Sequence, residues 1–295
     1  MSASAHPDPH ARTTGLDPYR EHDACGVGFV ARASGARSHQ IVRMALEGVA
    51  RLAHRGAAST DRSGDGAGLL TQIPHRLFHR ESYRLGLRLQ PGAPFAVGVF
   101  FLPRPHAAFT RAVAIIEQVF EADGVPFLGW RDVPVEPSAL GPTARASCPL
   151  IRQAFVGRPM GIGDDDAWER ALYLARREIE HRTSEASLDE VYVCSLSCRT
   201  IVYKALLTGT DLSGFFTDFR YPEFESAIAV FHQRYSTNTL PSWPLTQPFR
   251  MIAHNGEINT LWANRNAREA REDKRTSPAW GARLGRPEPQ LWQAG

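Results

Sequence analysis

The sequence predicts sheet layers covered by helices, an α+β fold, and three observations carry that prediction. Several apolar runs of strand length fail to alternate with polar residues, as strands buried on both faces do. Two long stretches place apolar residues at helical spacing and stand apart from those runs. The chain has 295 residues, enough to bury a substantial core, and shows no internal repeat.

Taken in order, the first 20 or so residues are polar and rich in His, Pro and Ala, without the apolar core of a secretory signal. A strand is expected from Cys25 to Val30. Val42, Leu46, Val49 and Ala53 then fall on one face of a helix over 40–53, with Gly56 placed to end it. Strands are expected at 69–73 and 95–102, each bounded by proline. Phe109, Val113, Ile116 and Phe120 mark a second helix stopped at Gly124, and Trp168, Leu172, Ala175 and Ile179 mark a third. Residues 191–196 and 201–207 read as a pair of strands, although the second also suits a helix. Residues 227–232 and 251–254 read as further strands, and 260–272 as a short helix. From 276 to 295 Pro, Gly, Ala and Arg dominate, and a disordered tail is expected there.

Composition narrows the function. An apolar fraction of 43% and a charged fraction of 22% fit a soluble globular protein. Basic and acidic residues nearly balance, 34 against 31, with no basic face, so no nucleic-acid partner is expected. No apolar stretch approaches the roughly 18 residues of a membrane span, and a cytoplasmic protein is expected. The four cysteines, at 25, 148, 194 and 198, are too scattered for a disulfide framework. Cys194 and Cys198 have no second pair beside them, so no metal site is expected.

Four segments have chemical potential. Cys25 stands where the polar leader meets a buried strand. A lone cysteine is usually a small buried hydrophobe. Were the chain cut before it, however, its α-amine, with a pKa of roughly 7.7–8.0, would serve as base for its own thiol. Arg234, at the end of an expected strand, offers a fork suited to a carboxylate, followed by Ser236, Thr237 and Asn238. Asn255-Gly256 is a common turn dipeptide, but an Asn side chain beside a glycine N–H also makes an oxyanion hole. Residues 64–68, Gly-Asp-Gly-Ala-Gly, lack the ending of a phosphate loop and suit a tight, close-packed turn.

Read together, these segments resemble one family. Asp23-Ala24-Cys25-Gly26-Val27-Gly28-Phe29 is similar to the maturation site of glutamate synthase large subunits. Residues 52–57, 64–74, 195–204 and above all 231–259 resemble the same proteins, over 19–272 in all. The Pro-Ser-Trp-Pro at 241–244 and the 64–68 glycines favour this family over other class II amidotransferases.

The resemblance implies a class II glutamine amidotransferase with the four-layer αββα sandwich of N-terminal-nucleophile hydrolases. It implies a leader over 1–24, the amidotransferase domain over 25–275 and a divergent tail over 276–295. It also implies roles: Cys25 as nucleophile, Asn255 and Gly256 as oxyanion hole, Arg234 and Thr237 in the glutamine pocket, and Arg55 close to the nucleophile. FMN and an iron–sulfur cluster would belong to other regions of the parent enzyme, and the remaining synthase domains or the small subunit would be partners. Family members also carry a Ser-Asp-Ser-like segment whose Asp binds the glutamine α-amine. None is found here, so the fold is expected to be incomplete at its C-terminus. The alternative expectation is an inactive remnant that acts only as an interaction module.

Overall fold

The computed structural model describes residues 26–56, 59–87, 89, 92–233 and 240–250, together with Trp262, Asn266, Ala267 and Ala270. The first half runs β1 (Val27–Ala31), α1 (His39–Arg51), β2 (Ala67–Gln72), α2 (His75–Leu85), β3 (Phe95–Leu102), α3 (His106–Ala122) and β4 (Phe127–Asp132). The second runs α4 (Pro142–Ala146), β5 (Leu150–Gly157), α5 (Asp165–Glu185), β6 (Tyr192–Ser197), β7 (Thr200–Ala205), α6 (Leu212–Phe215) and β8 (Ile228–Gln233). Two antiparallel four-stranded sheets result, ordered β1-β8-β2-β7 and β4-β5-β3-β6. The expected α+β sandwich is borne out.

β3 shows why its run does not alternate. Phe95, Val97, Val99 and Phe101 enter one core and Ala96, Phe100 and Leu102 the other. The second core lies under α3 and α5, where Ile116, Phe120, Trp168, Leu172, Ala175 and Ile179 are all buried. On the first sheet, Phe231, Leu69 and Tyr203 stand in one row across β8, β2 and β7. α1 lies against that row so closely that a Cβ on Gly48 would come within 2.7 Å of the Phe231 ring. At the β7 end of the row the Tyr203 hydroxyl accepts a hydrogen bond from Gln153 of β5 at 2.8 Å. The opposite face of the same sheet carries the exposed Val27, Phe29 and Ile228.

Three local expectations change. The 40–53 helix ends at Arg51, and Ala53 falls in a 3-10 turn, Leu52–Arg55. Residues 191–207 do give two strands, but β6 and β7 belong to different sheets and make no hairpin. α2, β4 and β5 are additional elements. The 251–254 strand lies outside the described residues. Of the 260–272 helix only Trp262, Asn266, Ala267 and Ala270 are described, and they are helical.

His75, at the start of α2, packs edge-on against Phe95 at 4.9 Å. Burial, then the nearby Arg37 and His79, pushes its pKa down to about 4 from the ordinary 6.5. The unfolded chain therefore binds the proton more readily between pH 6.5 and 4, and folding stability falls as pH falls through that window. His75→Phe is expected to flatten this part of the profile. Thermal unfolding at pH 7, 6, 5 and 4.5 checks it, and parallel curves for the two proteins would refute it.

Candidate active site

β1 and β8 are antiparallel, with Val27 opposite His232. The pairing extends one residue further, where the Gln233 N–H donates to the Gly26 carbonyl at 2.7 Å. Cys25 precedes Gly26 and Arg234 follows Gln233, so two of the expected site residues are covalent neighbours of one hydrogen-bonded pair. β2 begins at the same place, with Ala67 opposite Gln233.

The turn leading into β2 is close-packed, as its glycines suggest. Gly66 has φ of 117°, a conformation that side chains resist. A Cβ on Gly68 would come within 2.6 Å of the Tyr203 carbonyl oxygen. Just before the turn, Asp61 accepts hydrogen bonds from Ser59, from Ser63 and from the Thr143 N–H, and these hold its carboxyl well below the usual range. Gly56 caps the 3-10 turn that continues α1, its N–H donating to the Ala53 carbonyl at 3.1 Å, and it also packs against β8. Its φ is −83°, which any residue adopts, but a Cβ there would lie 2.2 Å from the Gln233 Nε2.

Beyond β8, residues 240–250 cross back over the core. Trp243 of the Pro-Ser-Trp-Pro segment is buried, donates from Nε1 to the Ala144 carbonyl at 3.3 Å, and meets Phe101 edge-on at 5.6 Å. Lys204 anchors the next residues, donating to the Pro244 carbonyl at 2.8 Å and the Thr246 carbonyl at 2.7 Å. Burial pushes its ammonium down to about 7. Trp243, Pro244 and Thr246 are thus tied to the core, between β8 and residues 251–259 in the sequence. Of the Pro-Ser-Trp-Pro residues Trp243 is the one buried in the core.

Arg55 closes the 3-10 turn after α1, one residue before Gly56, and its side chain lies outside the described residues. Cys25, Arg234, Thr237, Asn255 and Gly256 also lie outside them. What the fold brings together is the chain adjoining three of these positions: Gly26, Gln233 and Gly56. Sequence reasoning missed Gln233, Asp65, Trp243 and Lys204 as individuals. A glutamine, an aspartate and a lysine inside otherwise apolar or glycine-rich runs are the signal that was there to find.

The described thiols are poor nucleophiles. Burial pushes Cys148 up to about 11 and Cys194 up to about 12, and burial together with Glu169 raises Cys198. Among the described residues no three His, Cys, Asp or Glu side chains are grouped to hold a metal ion. Nor, among them, is any helix long and apolar enough to cross a membrane.

The family model for class-II glutamine amidotransferases matches residues 25–294. The chain belongs to that family. It is 41% identical over 270 residues to the glutamate synthase [NADPH] large chain of Azospirillum brasilense, covering 91% of this chain and 18% of the relative. Over 261 residues it is 42% identical to ferredoxin-dependent glutamate synthase 2 of Synechocystis, covering 88% of this chain and 16% of that one. The chloroplastic ferredoxin-dependent enzyme of Oryza sativa is 43% identical over 265 residues, covering 89% and 16% respectively. This amidotransferase domain is thus homologous to part of the glutamate synthases, and spans under a fifth of their length.

Proposed function

We propose that this domain hydrolyses L-glutamine to glutamate and ammonia, with Cys25 as nucleophile. The observation that carries the reading is the Gln233–Gly26 hydrogen bond, which adjoins the thiol-bearing residue and the carboxylate-binding arginine. Loss of residues 1–24 frees the Cys25 α-amine; the family match, which begins at residue 25, supports that boundary. Residues 25–275 then form the main part of the amidotransferase unit, and the family match runs on through residue 294.

The α-amine takes the thiol proton, and sulfur attacks the side-chain carbonyl carbon of glutamine. Asn255 and the Gly256 N–H hold the developing oxyanion. Arg234 pairs with the substrate α-carboxylate, Thr237 lines the same pocket, and Arg55 stands near the thiol. Collapse of the intermediate breaks the C–N bond, and the amine's proton leaves with ammonia. Water then cleaves the thioester to release glutamate and restore the thiol. In a full-length glutamate synthase the ammonia would go on to reductive amination of 2-oxoglutarate in regions holding FMN and an iron–sulfur cluster. The rest of that enzyme is the partner we assign, and the cytoplasm the compartment.

Glutamate and ammonia release from L-glutamine, measured on folded chain beginning at Cys25, tests the reading, and absence of both products would sink it. In the same assay Asn255→Ala is expected to lower turnover by about 10²–10³, the usual effect of removing one oxyanion donor. Unchanged turnover would remove Asn255 from the oxyanion hole.

A further inference from the structure

We propose that Gln233 is a positioning residue for the nucleophile, an inference that rests on the assignment of Cys25 and Arg234 above. Its side chain is 1% exposed at the end of β8. The side-chain oxygen accepts the Gly209 N–H at 2.5 Å, from the loop after β7. The side-chain nitrogen donates towards Asp65 Oδ1 at 3.5 Å, from the turn before β2. The backbone N–H holds Gly26. Gly56 presses on the same nitrogen, and a Cβ on Gly209 would meet both the Gln233 oxygen and the Val49 carbonyl oxygen at 2.5 Å.

Three chain segments that share no secondary-structure element, at Gly56, Asp65 and Gly209, therefore touch one carboxamide, and a fourth, at Gly26, is held by the backbone of the same residue. Two of them adjoin Cys25 and Arg55, and Gln233 itself adjoins Arg234. The chemistry asks for an amide. One end must accept from a backbone N–H while the other donates to a carboxylate, which a glutamine does and an ionised glutamate does not. The absent Cβ atoms at Gly56 and Gly209 let their segments close on the side chain, and the absent Cβ at Gly26 lets that residue close on the Gln233 carbonyl oxygen. Gln233 acts on the reaction through these segments and fixes where the thiol stands relative to the substrate carboxylate.

The test is Gln233→Glu in the full chain. At pH 8 the new carboxylate faces Asp65, the segments part, and kcat is expected to fall by about 10–10², the range for a misplacement on the order of 1 Å. KM should change less. As pH falls the new carboxyl takes a proton, donates to Asp65 again, and the ratio of wild-type to variant kcat should shrink towards a few-fold. A Gln233→Met chain, which keeps the shape but neither hydrogen bond, should show a comparable loss that does not vary with pH. A kcat loss in Gln233→Glu that is the same at every pH, or no loss at all in chains with wild-type unfolding midpoints, would overturn the proposal.

A separate readout covers the case in which wild-type releases no glutamate, or a variant unfolds early. The alkylation rate of Cys25 by iodoacetamide at pH 8, measured against Cys148 and Cys194 in the same chain, should differ several-fold between wild type and Gln233→Glu. Equal relative rates in the two would overturn the positioning role even where the glutaminase reading itself had failed.

Discussion

Cys25→Ala is expected to abolish glutamate release and to leave residues 1–24 attached to the chain. No other thiol is placed to substitute. Cys194 is 1% exposed inside β6 and Cys148 is buried beside Pro149, and both are held as neutral thiols by that burial. Cys198 is half-exposed, but burial and the neighbouring Glu169 carboxylate oppose its ionisation. Only the thiolate attacks. A thiol whose base is its own α-amine ionises near neutral pH without any of these obstacles. Cys25→Ser separates the two effects, since it keeps the α-amine and a weaker nucleophile, and a trace of turnover is expected from it. Intact mass with N-terminal sequencing reports the leader, and a coupled glutamate assay reports the chemistry. Turnover in purified Cys25→Ala would locate the nucleophile elsewhere and end the present reading.

How much of this was legible in the sequence depended on whether a segment's buried residues are apolar. β3 is eight apolar or glycine residues bounded by prolines, and its limits were read directly. α3 and α5 show their buried stripes as plainly. β4 and β5 were invisible because charge interrupts them: Arg131 is 2% exposed and Gln153 fully buried, each satisfied only by residues distant in sequence. Arg152, opposite Asp132 in register, stacks its guanidinium 5.1 Å over the Trp130 ring. α2 carries only Leu77 and Phe78 as buried apolar residues among histidines and arginines, too few for a period. The candidate site divides the same way. Its reactive residues stood out by type and by resemblance, whereas Gln233 takes its meaning from four segments that only the fold brings together.

The buried polar residues that hid those strands carry the second large effect. Asp218→Asn is expected to destabilise the fold by about 3–5 kcal/mol, the usual result of breaking a buried pair on one side. Asp218 is fully buried and accepts two hydrogen bonds from Arg131, at 2.7 and 2.8 Å. It accepts a third from the Tyr203 hydroxyl at 2.7 Å. Burial alone would weaken the Arg131 charge, but Asp218, Tyr203 and Glu81 hold it above its ordinary range. An asparagine at 218 keeps the shape and turns an N–H₂ towards the guanidinium or the hydroxyl, two donors face to face. Among the described residues Glu81, at 3.3 Å, would be the carboxylate left to Arg131.

The loss should extend beyond one strand, because the cluster joins β4 and β5 of one sheet to β7 of the other. Against a total stability of roughly 5–15 kcal/mol, such a change leaves little in reserve. Denaturant unfolding followed by tryptophan fluorescence would measure it. An Arg131→Met/Asp218→Leu chain should lose less than the sum of the single variants, since it removes both charges and lets Tyr203 and Gln153 keep each other. A single-variant loss under about 1 kcal/mol would mean that water reaches the pair, and that the joint between the sheets is held by the surrounding phenylalanines instead.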